Sequence, residues 1–430
     1  VLTLYNLFLP ILQLGVKVAA LFSSKIRRGL EGRRGLLSEI QKHYSTIASS
    51  RLRILVHSAS YGELEQAKPI ITALRKKYPS AHIHLTFFSP SGYENTRKLD
   101  GVDFISYSPV DTRGNVSRFL DLVKPSISLF TRYDVWPNMA NELHKRGIPS
   151  VLFAATAAES SRRMLPLSKA LHTSVYKNLS KILTIGEQDE HRFNAMGVTP
   201  KQLVVAGDTR FDQVIARQRD VVAQGAPIIP DPIWEQIQSK GSLVFIIGSS
   251  WPADEAIVKA TIAQSVERSD NIVTIIVPHE PSEERLRSLL ALFPSKAIRL
   301  SQIGEYAGEP VIIVDSIGKL FGLYRYADVA MIGGGFGQGL HNVLEAAVWG
   351  IPAIVGPRHK KSQEVQLLID QLAAFEVTSA SEFDFVFWQL AKDDDLRATA
   401  GKKEKAFVEE NQGATERIMT EIETLLQDRS

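Results

Sequence analysis

A chain of 430 residues is too long for one ordinary core, so two domains are expected. Its 44% apolar and 23% charged residues exclude a disordered chain, and a net charge of +3 lacks the overall basic field of a nucleic-acid binder. The absence of cysteine excludes disulfides, zinc–thiolate sites, iron–sulfur clusters and a thiol nucleophile.

Residues 2–22, LTLYNLFLPILQLGVKVAALF, form the most hydrophobic long segment. Roughly 20 residues suffice to cross a bilayer as a helix. Lys17 opposes a simple span, because a lysine at mid-membrane costs roughly 2.5–3.5 kcal/mol. Asn6, Pro10 and Gln13 weaken it further. No positive charge precedes the apolar core, which argues against a cleaved signal peptide. Lys25, Arg27, Arg28, Arg33 and Arg34 follow it, and such a basic run stays on the cytoplasmic side and favours anionic lipid. The expectation is one anchor, spanning the membrane or lying in its interface, with the body in the cytoplasm. The competing reading is an amphipathic helix packed on its own domain. A polar connector over 39–50 leads into the body.

Residues 54–69 read ILVHSASYGELEQAKP. The first three make a short buried strand, 57–62 a small polar loop, and Leu64, Ala67, Ile70, Ile71 and Leu74 one face of a helix. Glu63 therefore sits where a loop enters a helix at the carboxyl end of a strand, the edge at which open α/β sheets bind ligands. Two readings stand. Glu63 offsets the helix dipole, worth roughly 0.3–1 kcal/mol, or it is a general base, which requires burial to raise its pKa.

Strand patterns recur at 82–87, 127–130, 150–153, 182–185 and 203–205, with helices between, for example at 64–77, 114–123 and 138–145. Such alternation predicts a parallel sheet with right-handed crossovers. Residues 213–240 turn polar and helical, and their insert GAPIIPDP has the prolines of a linker. The second half repeats the architecture with strands expected at 243–247, 272–277, 311–314, 329–332 and 353–355. A charged helical tail covers 397–427.

Residues 333–345, GGGFGQGLHNVLE, place five glycines in seven residues after a buried strand and before a helix. Glycines allow backbone N–H groups to approach a phosphate, and a helix start favours negative charge. The spacing is not the dinucleotide fingerprint. The alternative is a turn that needs small residues. Asn342 and Glu345, three apart, either bracket a ribose or base or form a first-turn pair with Asn342 as the cap.

Taken in order, HSASYGE, FFSPSGYE, SPVDTRGNVSRFL, DVWPN, GDTRFD, PHEP, DSIGKLFGLYRYAD and GGGFGQGLHNVLEAAVWGIPAIVGP cover nearly the whole chain. In this order and spacing the chain resembles the 3-deoxy-D-manno-octulosonic acid (Kdo) transferases of lipopolysaccharide assembly. The resemblance implies an α/β fold of two Rossmann-like domains facing a central cleft, the GT-B architecture, with an N-terminal membrane-associated helix. The implied layout is an anchor at 1–24, a connector at 25–50, an acceptor domain at 51–215, a linker at 216–240, a nucleotide-sugar domain at 241–405 and a C-terminal helix at 406–430.

The resemblance also implies that Glu63 is the catalytic base. Arg210 stands at the family's Lys-Phe-Asp lysine, where a cation neutralises the leaving phosphate; the plain alternative is a surface arginine paired with Asp208 or Asp212. Two departures stand out. The family's Glu-Thr-Glu-Leu-Trp-Pro-Asn has become Arg132-Tyr133-Asp134-Val135-Trp136-Pro137-Asn138, so its supporting acid is lost, replaced by Arg132 or taken over by Asp134. Pro-Arg-His-Pro has become Pro278-His279-Glu280-Pro281, and Lys319 replaces the acid of the Gly-Glu-Leu loop. Nucleotide contacts are expected from Pro278, His279, Ile317, Gly318, Lys319, Gly333, Gly334, Gly335, Asn342 and Glu345. The implied reaction moves Kdo from CMP-Kdo to a lipid A precursor, lipid IVA, at the inner membrane, with inversion and without a cofactor or metal. The alternatives are another GT-B enzyme using a UDP-sugar on a lipid-linked acceptor, a sugar-nucleotide epimerase of the same fold, or a catalytically idle lipid-binding protein.

Overall fold

The computed structural model describes residues 1–48, 50–157, 166–360 and 362–428. It divides into two compact units, residues 1–213 with 411–430, and residues 214–410.

The first unit holds β1 (Arg53–Ser58), β2 (His82–Phe87), β3 (Phe104–Tyr107), β4 (Ile127–Thr131), β5 (Ser150–Ala155), β6 (Lys181–Thr184) and β7 (Leu203–Val205). Their spatial order is β3-β2-β1-β4-β5-β6-β7, and every pairing is parallel. Chain direction across the sheet reverses between β1 and β4. At such a switch point the crossovers leave in opposite directions and open a crevice beyond the strand ends. The helix Tyr61–Lys77 follows β1 and buries Leu64, Ala67, Ile70, Ile71 and Leu74 against the sheet, the face its spacing predicts.

The second unit holds β8 (Leu243–Ser250), β9 (Ile272–Pro278), β10 (Ala297–Arg299), β11 (Val311–Ile313), β12 (Val329–Ile332), β13 (Ala353–Val355) and β14 (Ala374–Glu376). Their order is β10-β11-β9-β8-β12-β13-β14, again parallel. Here the switch point lies between β8 and β12, and the glycine-rich loop leaves β12.

Three strands are absent from the sequence expectation: β3, β10 and β14. All three lie at a sheet edge. An edge strand pairs on one side only, so it can be short and lack a continuous apolar run.

The connector differs from expectation as well. Residues 24–44 carry two helices, Ser24–Glu31 and Leu36–Tyr44, and the second buries Leu36, Ile40 and Tyr44 in the first core. A spacing of four puts those three on one helical stripe. The segment 216–240 is likewise folded into the second unit. It carries parts of the helices Thr209–Gln224 and Asp231–Ser239, buries Ile229 and Ile237, and donates from the Ile228 amide to the Tyr326 hydroxyl at 3.2 Å. At the far end, residues 406–410 finish the helix Asp394–Glu410 of the second unit. The helix Ala414–Gln427 returns to the first, burying Ile418, Met419 and Ile422 beside Ile54 and Leu74.

Candidate active site

The first unit's switch point gathers side chains from the ends of β1 and β4. Glu63 is the third residue of its helix and is 5% exposed. Its Oε2 accepts from the Ala59 amide at 2.6 Å, so it caps the loop it follows. Burial pushes its carboxyl pKa above the usual range. The Ala59 amide and the nearby His57 and Arg132 oppose that shift, and Asp134 adds to it. Glu63 thus closes a turn, and burial raises its pKa in the direction the base reading requires.

His57, which the loop reading passed over, is the penultimate residue of β1 and is buried. Its Nδ1 lies 2.9 Å from Thr86 Oγ1 and its Nε2 lies 3.2 Å from Asp134 Oδ2. A histidine near the end of a strand, three residues before the Ser60 cap, was the available signal. Arg132 follows β4 with φ of 64°, a left-handed conformation that non-glycine residues rarely hold. Its guanidinium lies 5.7 Å from the Tyr133 ring, and its Nε is buried without a hydrogen-bond partner. Glu63, His57, Arg132 and Asp134 thus form one constellation.

Arg210 is tied to Asp208. Its Nε donates at 2.8 Å, its Nη2 lies at 2.7 Å, and its own amide donates to Oδ1 at 2.9 Å. Burial alone would raise the Asp208 carboxyl, but the Arg210 charge and these hydrogen bonds outweigh it and hold the group below its usual range. The Thr209 hydroxyl donates to the Gln66 carbonyl at 2.7 Å, which fastens the GDTRFD run to the helix that carries Glu63.

In the second unit His279 follows β9 and stacks between Trp251 (4.6 Å) and His341 (4.7 Å). Trp251 Nε1 donates to His341 Nε2 at 3.1 Å. Pro278 ends β9 and is buried. The glycine loop corrects one expectation. The amides of Gly333 and Gly334 do not point outward for a phosphate. They donate to the Gly248 carbonyl (2.8 Å) and to Asp254 Oδ2 (2.7 Å). Asp254 also accepts from the Trp251 and Phe336 amides at 2.9 and 3.2 Å. A fully buried carboxylate is the local anion of this loop. The glycines answer a steric need: a Cβ on Gly333 would stand 2.3 Å from the Ser249 carbonyl oxygen, and one on Gly335 2.7 Å from the Gly356 backbone.

The helix after that loop is short, Leu344–Ala347, and Asn342 Oδ1 accepts from the Leu344 amide at 3.2 Å. Glu345 is held by Arg217 Nη1 at 3.0 Å, and that guanidinium lies 4.2 Å over the Phe321 ring. Ile317 is 84% exposed, and Gly318 and Lys319 line a cavity of about 670 Å³ with Arg217 and Phe321. Among the described residues no group of three His, Asp or Glu side chains is placed to hold a metal ion.

The basic run near the N-terminus splits. Lys25, Arg27 and Arg34 are exposed, and Arg28 pairs with Glu94 at 2.8 Å. Arg33 does not belong with a free lipid-facing set. It donates to the carbonyls of Ser108, Gly29 and Phe88 at 3.0, 2.7 and 2.6 Å, and burial lowers its pKa to about 10.

Residues 29–213 match the family profile described as 3-deoxy-D-manno-octulosonic-acid transferase. Relatives of that description match along most of the chain. The one from Haemophilus influenzae is 24% identical over 87% of this chain and 87% of its own. The one from Aquifex aeolicus is 27% identical over 76% of this chain and 82% of its own. The chain is thus similar to Kdo transferases along most of its length. Among solved structures, the UDP-GlcNAc 2-epimerase from Neisseria meningitidis is 16% identical with a TM-score of 0.60, covering 87% of this chain and 100% of that one. At that identity the likeness concerns the fold, two α/β units with parallel sheets. The similarity to Kdo transferases supports a glycosyltransferase.

Proposed function

We propose that this chain is a Kdo transferase that moves Kdo from CMP-Kdo to a hydroxyl of a lipid A precursor, lipid IVA, with inversion at the anomeric carbon. The observation that carries the reading is the buried Glu63 carboxyl, raised in pKa, at the switch point of the first sheet. Glu63 takes the proton of the acceptor hydroxyl. The freed oxygen bonds to the anomeric carbon as the bond from that carbon to the CMP phosphate oxygen breaks. The electron pair leaves with CMP, and Arg210, oriented by Asp208, supplies positive charge for the departing phosphate. Asp134 takes the place of the family's supporting acid, since it faces both His57 and Glu63.

The second unit binds the donor. His279 offers a flat stacked face, Lys319 a cation, and Asn342 with Glu345 hydroxyl partners. The Arg217–Glu345 contact would open to admit a ribose or be shared with it. No metal is assigned a role, because charge on the leaving group is met by protein cations.

The helix Leu2–Phe22, with a mean hydropathy of 1.5 and 11% of its most apolar window buried, supports attachment to the cytoplasmic face of the inner membrane. The test is mass spectrometry of lipid IVA after incubation with the enzyme and a CMP-Kdo source, with and without a chelator. A mass increase of whole Kdo units, unchanged by the chelator, is expected. Turnover of a UDP-sugar alone would overturn the assignment.

A further inference from the structure

The helix Leu2–Phe22 turns Tyr5, Asn6 and Gln13 inward and most of its apolar side chains outward, while Thr3 and Lys17 are exposed. Leu4, Leu7, Phe8, Ile11, Leu14 and Leu21 are among its exposed apolar side chains, with Leu7 70% exposed. The opposite face holds Tyr5, Asn6 and Gln13, all half-buried, with the buried Leu9 and Ala20. Positions 2, 5, 6, 9 and 13 lie on one side of a helix.

That inner face is keyed to the first unit. The Tyr5 hydroxyl donates to Asp111 Oδ2 at 3.1 Å. Asn6 and Asn138 exchange two amide hydrogen bonds, at 3.0 and 2.9 Å. The receptors are built in advance. Asp111 is 6% exposed and Asn138 fully buried. Asp111 also accepts from the amides of Asn138 and Met139, each at 3.0 Å, and its carbonyl accepts from Asn138 Nδ2 at 2.6 Å. Asp111 and Asn138 belong to the SPVDTRGN and DVWPN runs, and the reaction described above uses neither.

A helix crossing a bilayer would have to take Tyr5 and Asn6 into hydrocarbon, stripped of these partners, and would leave the buried Asn138 Oδ1 without its donor and Asp111 with one hydrogen bond fewer. An unmade hydrogen bond in hydrocarbon is costly, because no water replaces the lost partner. Staying docked avoids that cost and still buries the outer apolar side chains in lipid. The cations beside it fit an anionic surface: Lys25, Arg27 and Arg34 are exposed.

We infer that the helix does not span the bilayer but lies in the plane of an anionic lipid surface, latched to the first unit through Tyr5–Asp111 and Asn6–Asn138. The inference rests on the membrane attachment proposed above and decides its mode. It places the lipid surface against the start of the helix Pro137–Lys145, which follows the Asp134 loop.

The chain has no cysteine, so single-cysteine variants of the full chain can carry a fluorescent label at 4, 7, 11, 14 or 21 on the outer face, or at 2 or 13 on the inner one. The labelled proteins are mixed with sealed vesicles of phosphatidylglycerol and phosphatidylethanolamine that contain lipid quenchers at known depths. Quenching at the outer positions is expected to be several-fold above that at 2 and 13, at one shallow depth from end to end. A profile deepest near position 11 and shallow at both ends, the signature of a span, would overturn the inference while leaving membrane attachment intact. No quenching at any position would remove both. In Tyr5→Phe/Asn6→Ala the contrast between faces is expected to be lost while vesicle binding persists. An unchanged contrast would show that the latch does not orient the helix.

Discussion

His57 and Asp134, 77 positions apart in the chain, meet at 3.2 Å across the ends of β1 and β4. An ionised carboxylate only accepts, so His57 Nε2 carries the proton and donates it to Asp134. Thr86 Oγ1 lies 2.9 Å from the other ring nitrogen, which accepts from that hydroxyl when the ring is neutral, and 3.3 Å from the Val56 carbonyl oxygen. The chain of contacts fixes the Asp134 carboxylate near Glu63, where its charge raises the Glu63 pKa.

Glu63→Gln is expected to lower transfer roughly 10²–10⁴-fold, the range for loss of a general base. Glutamine keeps an oxygen for the Ala59 amide, so thermal unfolding should stay within a few degrees of the parent. Product formation by mass spectrometry and a melting curve check both halves.

The charges around Glu63 predict opposite pH shifts. Glu63 acts when ionised, so the rate rises with pH through its pKa. Asp134→Asn removes a contribution that raises this pKa and should move the rise to lower pH. Arg132→Gln removes one that lowers it and should move the rise to higher pH. Profiles of kcat/KM against pH for the three proteins decide it, and shifts of the same sign would exclude Glu63 as the titrating group.

A histidine cluster makes the first unit acid-sensitive. His43 Nε2 and His82 Nε2 lie 2.8 Å apart, and the Tyr44 hydroxyl is 3.1 Å from His84 Nδ1. Burial lowers the pKa of His43, of His82 to about 4, and of His84 well below its usual value. In the unfolded chain these groups take up protons from about pH 6.5. Their neutral forms therefore favour folding above that pH, and stability is lost as pH falls from about 6.5 toward 4. The denaturant midpoint should fall over this window, and His82→Gln should flatten the fall.

The glycine loop of the second unit should depend on Asp254. Asp254→Ala leaves the Trp251, Gly334 and Phe336 amides without their acceptor, at about 1–3 kcal/mol for each unsatisfied buried group. Gly333→Ala should also destabilise, because its Cβ would meet the Ser249 carbonyl oxygen at 2.3 Å. Gly337→Ala should be near neutral, with its nearest neighbour at 3.8 Å. Melting temperatures of the three variants test the order.

Much was legible in the amino-acid order, because it is local. The buried face of Tyr61–Lys77, the long runs of β1, β8 and β9, and the position of Glu63 at a strand end follow from the spacing of apolar residues over one or two turns. The run of motifs likewise carried the resemblance to Kdo transferases. The tertiary structure alone decided which partner each polar side chain meets. It paired His57 with Asp134, drew Arg33 onto backbone carbonyls, put Asp254 under the glycine amides and gave Tyr5 to Asp111, across separations of 77, 75, 80 and 106 residues. Periodicity records whether a side chain faces inward. A hydrogen bond also needs a distance and a direction, and those exist only once the strand order has brought remote loops to the same sheet edge.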